Sequence, residues 1–337
     1  LPRPLAALTF GGNSVVIDQN TQQTSELVWP HQAQVDALYT GGPGGLTLLR
    51  GFEYTSDQEN HLNVIGSQNW LAPVASHFGD LTMAPFYLWL STAPVTDPLG
   101  TGTGYGGNDG VGQFNHPDSK GALNFDDYAF NAAAAPYMKT IEIFGNQSYP
   151  GGLKQSDGGW YWFALSQGWT LGPTMDWDNH YWTDKIAQPN PGSSCGHDSF
   201  LPCERTLIFA TENSKGAIMD ALRAHRTGAT QFPGLWTSLH TPDGTFMGST
   251  IVAEPGQTIS LIVDAGSDIN PLTSGHNATR TIAVTVPTAA STRPDGAHFF
   301  YAVAHAADGS RAWSAPIFVA SSAKAPALRP VRRATRF

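Results

Sequence analysis

Apolar positions along this chain come in short runs that end in polar or glycine-rich turns. Over residues 1–231, strand-like runs (Ser14–Ile17, Thr47–Leu49, Asn63–Ile65, Val111–Phe114, Thr140–Phe144, Thr206–Ala210) are interleaved with segments of helical character. The helical segments are His31–Tyr39, Met83–Leu90, Trp160–Gln167 and Lys215–Arg226. The last is the best defined. Ser214 can cap it, Ile218, Met219 and Leu222 form an apolar stripe, and Arg223, His225 and Arg226 suit the negative end of its dipole. Gly228 is expected to end it. Alternation of this kind predicts an α/β fold with a largely parallel sheet or barrel. From about residue 232 the pattern changes. Ser249–Val252, Thr258–Val263, Arg280–Thr285, Phe299–His305 and Ala315–Val319 are β-branched or aromatic runs separated by turns such as Pro-Asp-Gly. They predict a small β-sandwich over 232–322, followed by a tail over 323–337.

A length of 337 residues is enough for a substantial core and favours two domains. The net charge of −9 argues against a nucleic-acid partner, which needs clustered Lys and Arg to neutralise phosphate. The arginines at 329, 332, 333 and 336 sit on a Pro/Ala-rich tail and read as a solvated end. No apolar run has the length of a membrane span. The opening LPRPLAALTF lacks the layout of a signal peptide, which implies that any export signal has been removed. Cys195 and Cys203 lie in a Gly/Ser/Pro-rich loop, and a local disulfide is preferred there over zinc binding. Sequons occur at Asn146 and Asn277, a triplet that arises often by chance. Low charge, abundant Trp and the expected disulfide together point to a secreted or periplasmic protein.

The candidate chemistry lies in four segments: GFEYT at 51–55 with His61 after it, FNHP at 114–117, TIEIF at 140–144 and DWDNH at 176–180. Each puts an acid or a histidine where a strand meets a loop, the usual place for function in parallel α/β folds. A carboxylate bridging two divalent ions flanked by imidazoles lowers the pKa of a shared water and stabilises charge on a phosphoryl or carbonyl oxygen. An Asp-x-His pair such as Asp178 and His180 lets both side chains approach one cation. Pro117 restricts the backbone of His116. His31, His77, His225, His240, His276, His298 and His305 read individually as ordinary surface or hydrogen-bonded histidines. The tryptophans at 160, 162, 169, 177 and 182 read as packing.

Together these motifs resemble the PHP (polymerase and histidinol phosphatase) metallohydrolases, in the branch that looks like carbaryl hydrolase. The similar pieces are Gly51-Phe52-Glu53, His61-Leu62-Asn63, Phe114 to Pro117, Ile141-Glu142-Ile143-Phe144, Gly168-Trp169, Asp178-Asn179-His180, Arg223 to Thr230 and Ala312 to Ile317. The resemblance implies a distorted seven-stranded (β/α) barrel followed by an all-β domain. It implies that Glu53 bridges metals, that His61 and His116 serve another metal position, that Asp178 and His180 close the site, and that Glu142 is a ligand or supports one. Manganese, zinc or iron at two or three positions would be the cofactor, and His116, His180 and Asp178 would be the catalytic groups. Two departures stand out. The chain has no His-x-His, and Asp18-Gln19-Asn20 carries Gln where a ligand His is expected. Either a first strand is absent or the site holds fewer metals.

The expected activity is therefore metal-dependent hydrolysis of a small-molecule phosphoester. A carbamate, ester or amide substrate is the first alternative, and a catalytically degenerate binding protein the second.

Overall fold

The computed structural model describes residues 47–56, 59–71, 83–96, 104–117, 125–143, 159–175, 205–232, 234–266, 278–307 and 309–322. Its first sheet has five strands in sequential order: β1 (Gly51–Ser56), β2 (Asn60–Ile65), β3 (Val111–Phe114), β4 (Met138–Glu142) and β5 (Gly172–Thr174). β1–β2 and β2–β3 pair antiparallel, and only β3–β4 and β4–β5 are parallel. Four short helices accompany it: α1 (Ala84–Ser91), α2 (Phe125–Tyr128), α3 (Gly159–Ser166) and α4 (Lys215–Arg223). α2 is one left-handed turn, with φ between 50° and 57° at all four residues.

The expected (β/α) barrel is therefore overturned. Among the described residues the sheet is open, with β1 and β5 at its edges, and the chain is mainly β, in several small sheets. The physical reason lies in how the strands connect. A barrel needs every strand parallel to its neighbour through a helical crossover. Here β1 and β2 form a tight hairpin, and β2 runs antiparallel to β3. Local apolar runs identify strands but not the direction in which they pair.

The sheet alternates by face. Phe52, Tyr54, Leu62, Val64, Phe114 and Ile141 point into the main aromatic core. There Trp169 meets Phe114 edge to face, with ring centroids 5.3 Å apart, and donates its indole N–H to the Tyr128 carbonyl at 2.8 Å. Glu53, His61, Asn63, Gln113, Asn115, Thr140 and Glu142 fall on the opposite parity, and register places Glu53 opposite Asn63, Asn63 opposite Gln113, and Gln113 opposite Thr140. α4 covers one end of this second face, where Met219 and Leu222 pack with Ile65 and Val111. The polar residues occupy the rest.

α4 starts as expected, with the Ser214 hydroxyl accepting from the Ala217 N–H at 3.2 Å. It ends earlier than expected, at Arg223, and Gly228 belongs to strand β7 (Thr227–Thr230). Thr47–Leu49 is not a strand. Ser14–Ile17, His31–Tyr39, both cysteines and both sequon asparagines lie outside the described residues.

The remaining strands are β6 (Arg205–Ile208), β8 (Trp236–His240), β9 (Thr250–Val252), β10 (Thr258–Gly266), β11 (Ala278–Thr285), β12 (His298–Phe300), β13 (Val303–His305), β14 (Arg311–Ser314) and β15 (Ile317–Ala320). They form sheets β11-β10-β8 and β12-β15-β9, whose side chains meet in a cluster of Leu239, Leu261, Ile317 and Phe300. The fourth sheet, β13-β14-β7-β6, takes two strands from each side of residue 231. Through it Trp313 and Ala229 join the main core. The buried Arg293 guanidinium donates to the carbonyls of Leu165, Gly168 and Trp169 at 2.6–3.0 Å, so the C-terminal region grips the end of α3.

Candidate metal centre

Glu53 lies in the middle of β1, not after it. Thr55 is the register partner of His61, so Glu53 is two residues along the same face from His61. His116, two residues past the end of β3, arrives at the same point. Nδ1 of His61 lies 3.3 Å from Oε1 of Glu53, and Nε2 of His116 lies 3.6 Å from the same oxygen. The two ring nitrogens are 3.0 Å apart. Among the described residues these three side chains are the one group of acids and histidines arranged to hold a metal ion.

Several carboxamides hold this triangle in place. Asn60, at φ 86°, accepts from the His61 N–H at 3.0 Å and donates to the His116 carbonyl at 3.1 Å. One side chain thus ties together the backbones of both histidines. Asparagine tolerates this left-handed conformation better than most residues. Asn115 donates to Oε1 of Glu53 at 3.0 Å, Gln113 donates to Asn115 at 3.0 Å, and the Thr140 hydroxyl donates to Gln113 at 3.2 Å. Asn115, Gln113 and Thr140 are all buried, so this chain of donors is shielded from water.

Of the other expected site residues, Glu142 turns one carboxylate oxygen onto the His116 backbone N–H at 2.7 Å. It thereby supports the positive φ of 26° at His116. Asp178 and His180 lie outside the described residues. Sequence reading singled out Glu53, His61 and His116 but missed Asn60, Asn115, Gln113 and Thr140. For Gln113, Asn115 and Thr140 the signal was the polar parity running through β3 and β4, visible once the face of the sheet is known.

Burial would raise the Glu53 carboxyl. Hydrogen bonds from His116 and His61, with the charges of both, outweigh that and hold it well below the usual carboxylate range. Glu53 is therefore an anion at neutral pH, as a metal ligand must be. The donor set fits a small divalent ion. Edges of 3.0, 3.3 and 3.6 Å bracket the roughly 3.3 Å separating ligands on one face of a tetrahedron with bonds of about 2.0–2.1 Å. The His61 side chain is 23% exposed, which leaves an approach from solvent. No family model, curated protein or solved structure matches this chain.

Proposed function

We propose that this protein is a divalent-metal-dependent hydrolase built around one ion held by Glu53, His61 and His116. The supporting observation is the triangle of one carboxylate and two imidazole atoms within 3.6 Å of one another. Two histidines and one glutamate are a ligand set that suits zinc in a site keeping a position for water. A bound ion of this kind supplies Lewis acidity and brings the pKa of a coordinated water toward neutrality. The chain's own residues do the positioning. Asn115 orients the Glu53 carboxylate, Asn60 keeps the two histidines in register, and Glu142 fixes the His116 backbone.

The lead substrate is a small phosphoester, on the strength of the motif set at 51–63, 114–117 and 141–144; a carboxyl ester or carbamate would use the same centre. Export from the cytoplasm belongs to the same reading, carried by the low charge and the cysteine pair. A purely structural metal site is the rival, opposed by the solvent approach at His61.

The test begins with metal content per chain after purification, and with zinc and manganese titrations of metal-stripped protein. Hydrolysis of generic phosphomonoester, phosphodiester and carboxyl ester substrates is then compared between wild type and His116→Ala. Metal binding and turnover that both vanish in His116→Ala support the proposal. A chain that binds no divalent ion, or hydrolysis unchanged by the substitution, overturns it.

A further inference from the structure

A second site, independent of the metal reading, lies where β4 meets the end of α4. In the parallel β3–β4 pair, Gly112 is opposite Met138 and Gln113 is opposite Thr140, which leaves Lys139 as the extra residue of a bulge. Bulges are rare between parallel strands and serve to re-aim a side chain. Met138 packs in the aromatic core and Thr140 joins the polar face. Lys139, released from the alternation, brings its Nζ to 3.3 Å from Nε2 of His225. Among the described residues no carboxylate lies within ion-pair distance of this amine. Arg223, in the last turn of α4, is the charge it feels most; its guanidinium donates to the Asp109 carbonyl at 2.7 Å and lies 3.7 Å from the Asp220 carboxylate.

His225 is locked in place from several sides. The His225 N–H bonds to the Leu222 carbonyl and the Arg226 N–H to the Ala221 carbonyl, closing the helix in a Schellman arrangement. His225 takes the left-handed position, φ 57°, that glycine usually fills. Gly172 and Gly248 close on the backbone at 224–225 so tightly that a Cβ on either would stand 3.0 Å from the His225 carbonyl or 2.0 Å from that of Ala224. The ring hydrogen-bonds to the backbone of Gly248 and Ala224. The tautomer with its N–H turned to that backbone offers Nε2 as an acceptor for Lys139. Burial, and then the Lys139 charge, push His225 down to about 3, which keeps it neutral. Burial, and then the Arg223 charge, push Lys139 down to about 8, so about a tenth of its amine is uncharged at pH 7 and more at mildly alkaline pH.

We propose that Lys139 is a carbamylation site, taking up carbon dioxide to form an N-carboxylate beside His225 and within the field of Arg223. The lone pair of the uncharged amine forms the new N–C bond, one C–O π bond opens onto oxygen, and nitrogen releases one proton to solvent. Lysine amine plus carbon dioxide thus gives carbamate plus a proton. The surroundings favour this product over other amine adducts. A carbamate keeps one N–H for Nε2 of His225 and places an anion within the field of Arg223, turning a repulsion into an attraction. A neutral imine would lose the N–H, and an amide would supply no charge. Carbon dioxide is also small enough to reach a largely buried amine.

The experiment uses the whole chain equilibrated with carbon-13-labelled bicarbonate at mildly alkaline pH and read by carbon NMR. In parallel, the carbamate is trapped with triethyloxonium ion and located by peptide mass spectrometry. The expected result is one protein carbamate resonance, with the trapped ester on Lys139 and not on Lys215. The resonance should be lost in Lys139→Gln and reduced several-fold in Arg223→Gln. Trapping on the wild-type chain decides the matter even if a variant fails to fold. A resonance absent from wild type, an ester located elsewhere, or a signal untouched by Arg223→Gln overturns the proposal.

Discussion

Nδ1 of His61 sits 3.0 Å from Nε2 of His116, although 55 residues separate them in the chain. Two imidazoles at this distance, with an anionic carboxylate facing both, repel one another if both are protonated. Bringing them together is favourable when a cation takes their lone pairs. A divalent ion that binds the folded chain but not the unfolded one stabilises it by about 2.7 kcal/mol at a hundredfold excess over Kd. Wild-type protein should therefore melt at a higher temperature with added zinc, and a chelator should reverse the gain. His116→Ala should melt at the same temperature with and without the ion. Equal zinc responses in the two chains would remove the metal centre.

Asn115 touches Glu53 but is no candidate ligand itself. Replacing it by Leu frees the Glu53 carboxylate to swing and leaves Gln113 without its acceptor. Metal affinity should fall about 10–100-fold, the range seen when the partner that orients a ligand is lost. Calorimetric titration with zinc reads this directly, and Asn115→Gln should recover part of the loss.

Asn60 is fully buried and bonds two backbones at once. Asn60→Ala removes both hydrogen bonds and puts a residue with no side-chain hydrogen bond to its neighbours at φ 86°. A loss of about 2–4 kcal/mol follows, measurable by urea denaturation. Asn60→Gly, which relieves the backbone alone, should cost less.

His225 titrates near 3 when folded and near 6.5 when unfolded, chiefly because it is buried. Between these values the unfolded chain binds a proton that the folded chain refuses, so stability is full above pH 6.5 and falls as pH drops toward 3. The slope from this group is at most about 1.4 kcal/mol per pH unit. Lys139 has the same sign in another window, with stability rising from pH 8 toward 10.5 as the folded chain sheds its proton first. His225→Asn, which also tolerates a positive φ, should flatten the acid limb in urea melts collected from pH 4 to 7. An unchanged slope would mean that other groups control acid unfolding.

Arg293 is 1% exposed and satisfies three carbonyls at the end of α3, with Asp295 as its counterion and the Phe318 ring beneath it. Arg293→Met should cost about 3–5 kcal/mol, since it strands those carbonyls and the Asp295 charge. Arg293→Lys should rescue little, because a single ammonium cannot reproduce the planar fork. Thermal melting of the three chains separates these outcomes.

How much of this was legible in the residues depends on the range of the interaction. The runs at Val111–Phe114 and Thr140–Phe144 became β3 and β4, and the segments at Met83–Leu90 and Trp160–Gln167 became α1 and α3, within a residue or two. The Ser214 cap was readable because its partner is three residues away. By contrast, Phe299–His305 reads as one strand but divides into β12 and β13, because Phe299 pairs with Phe318 whereas Val303 pairs with Trp313 on another strand. His225 reads as an ordinary histidine. Its burial against Lys139 depends on a bulge 86 residues earlier.

By itself the sequence determined where chain segments become strands or helices, since caps, turn residues and alternation act within a few positions. It also singled out Glu53, His61 and His116, within a larger expected ligand set that included Glu142, Asp178 and His180. The direction of strand pairing, and with it an open mainly β arrangement in place of a barrel, was decided only by tertiary structure. So were the carboxamide supports around Glu53 and the Lys139–His225 contact. The physical reason is that pairing direction and side-chain convergence are settled by the most favourable joint burial of distant segments, and no local window of residues contains that competition.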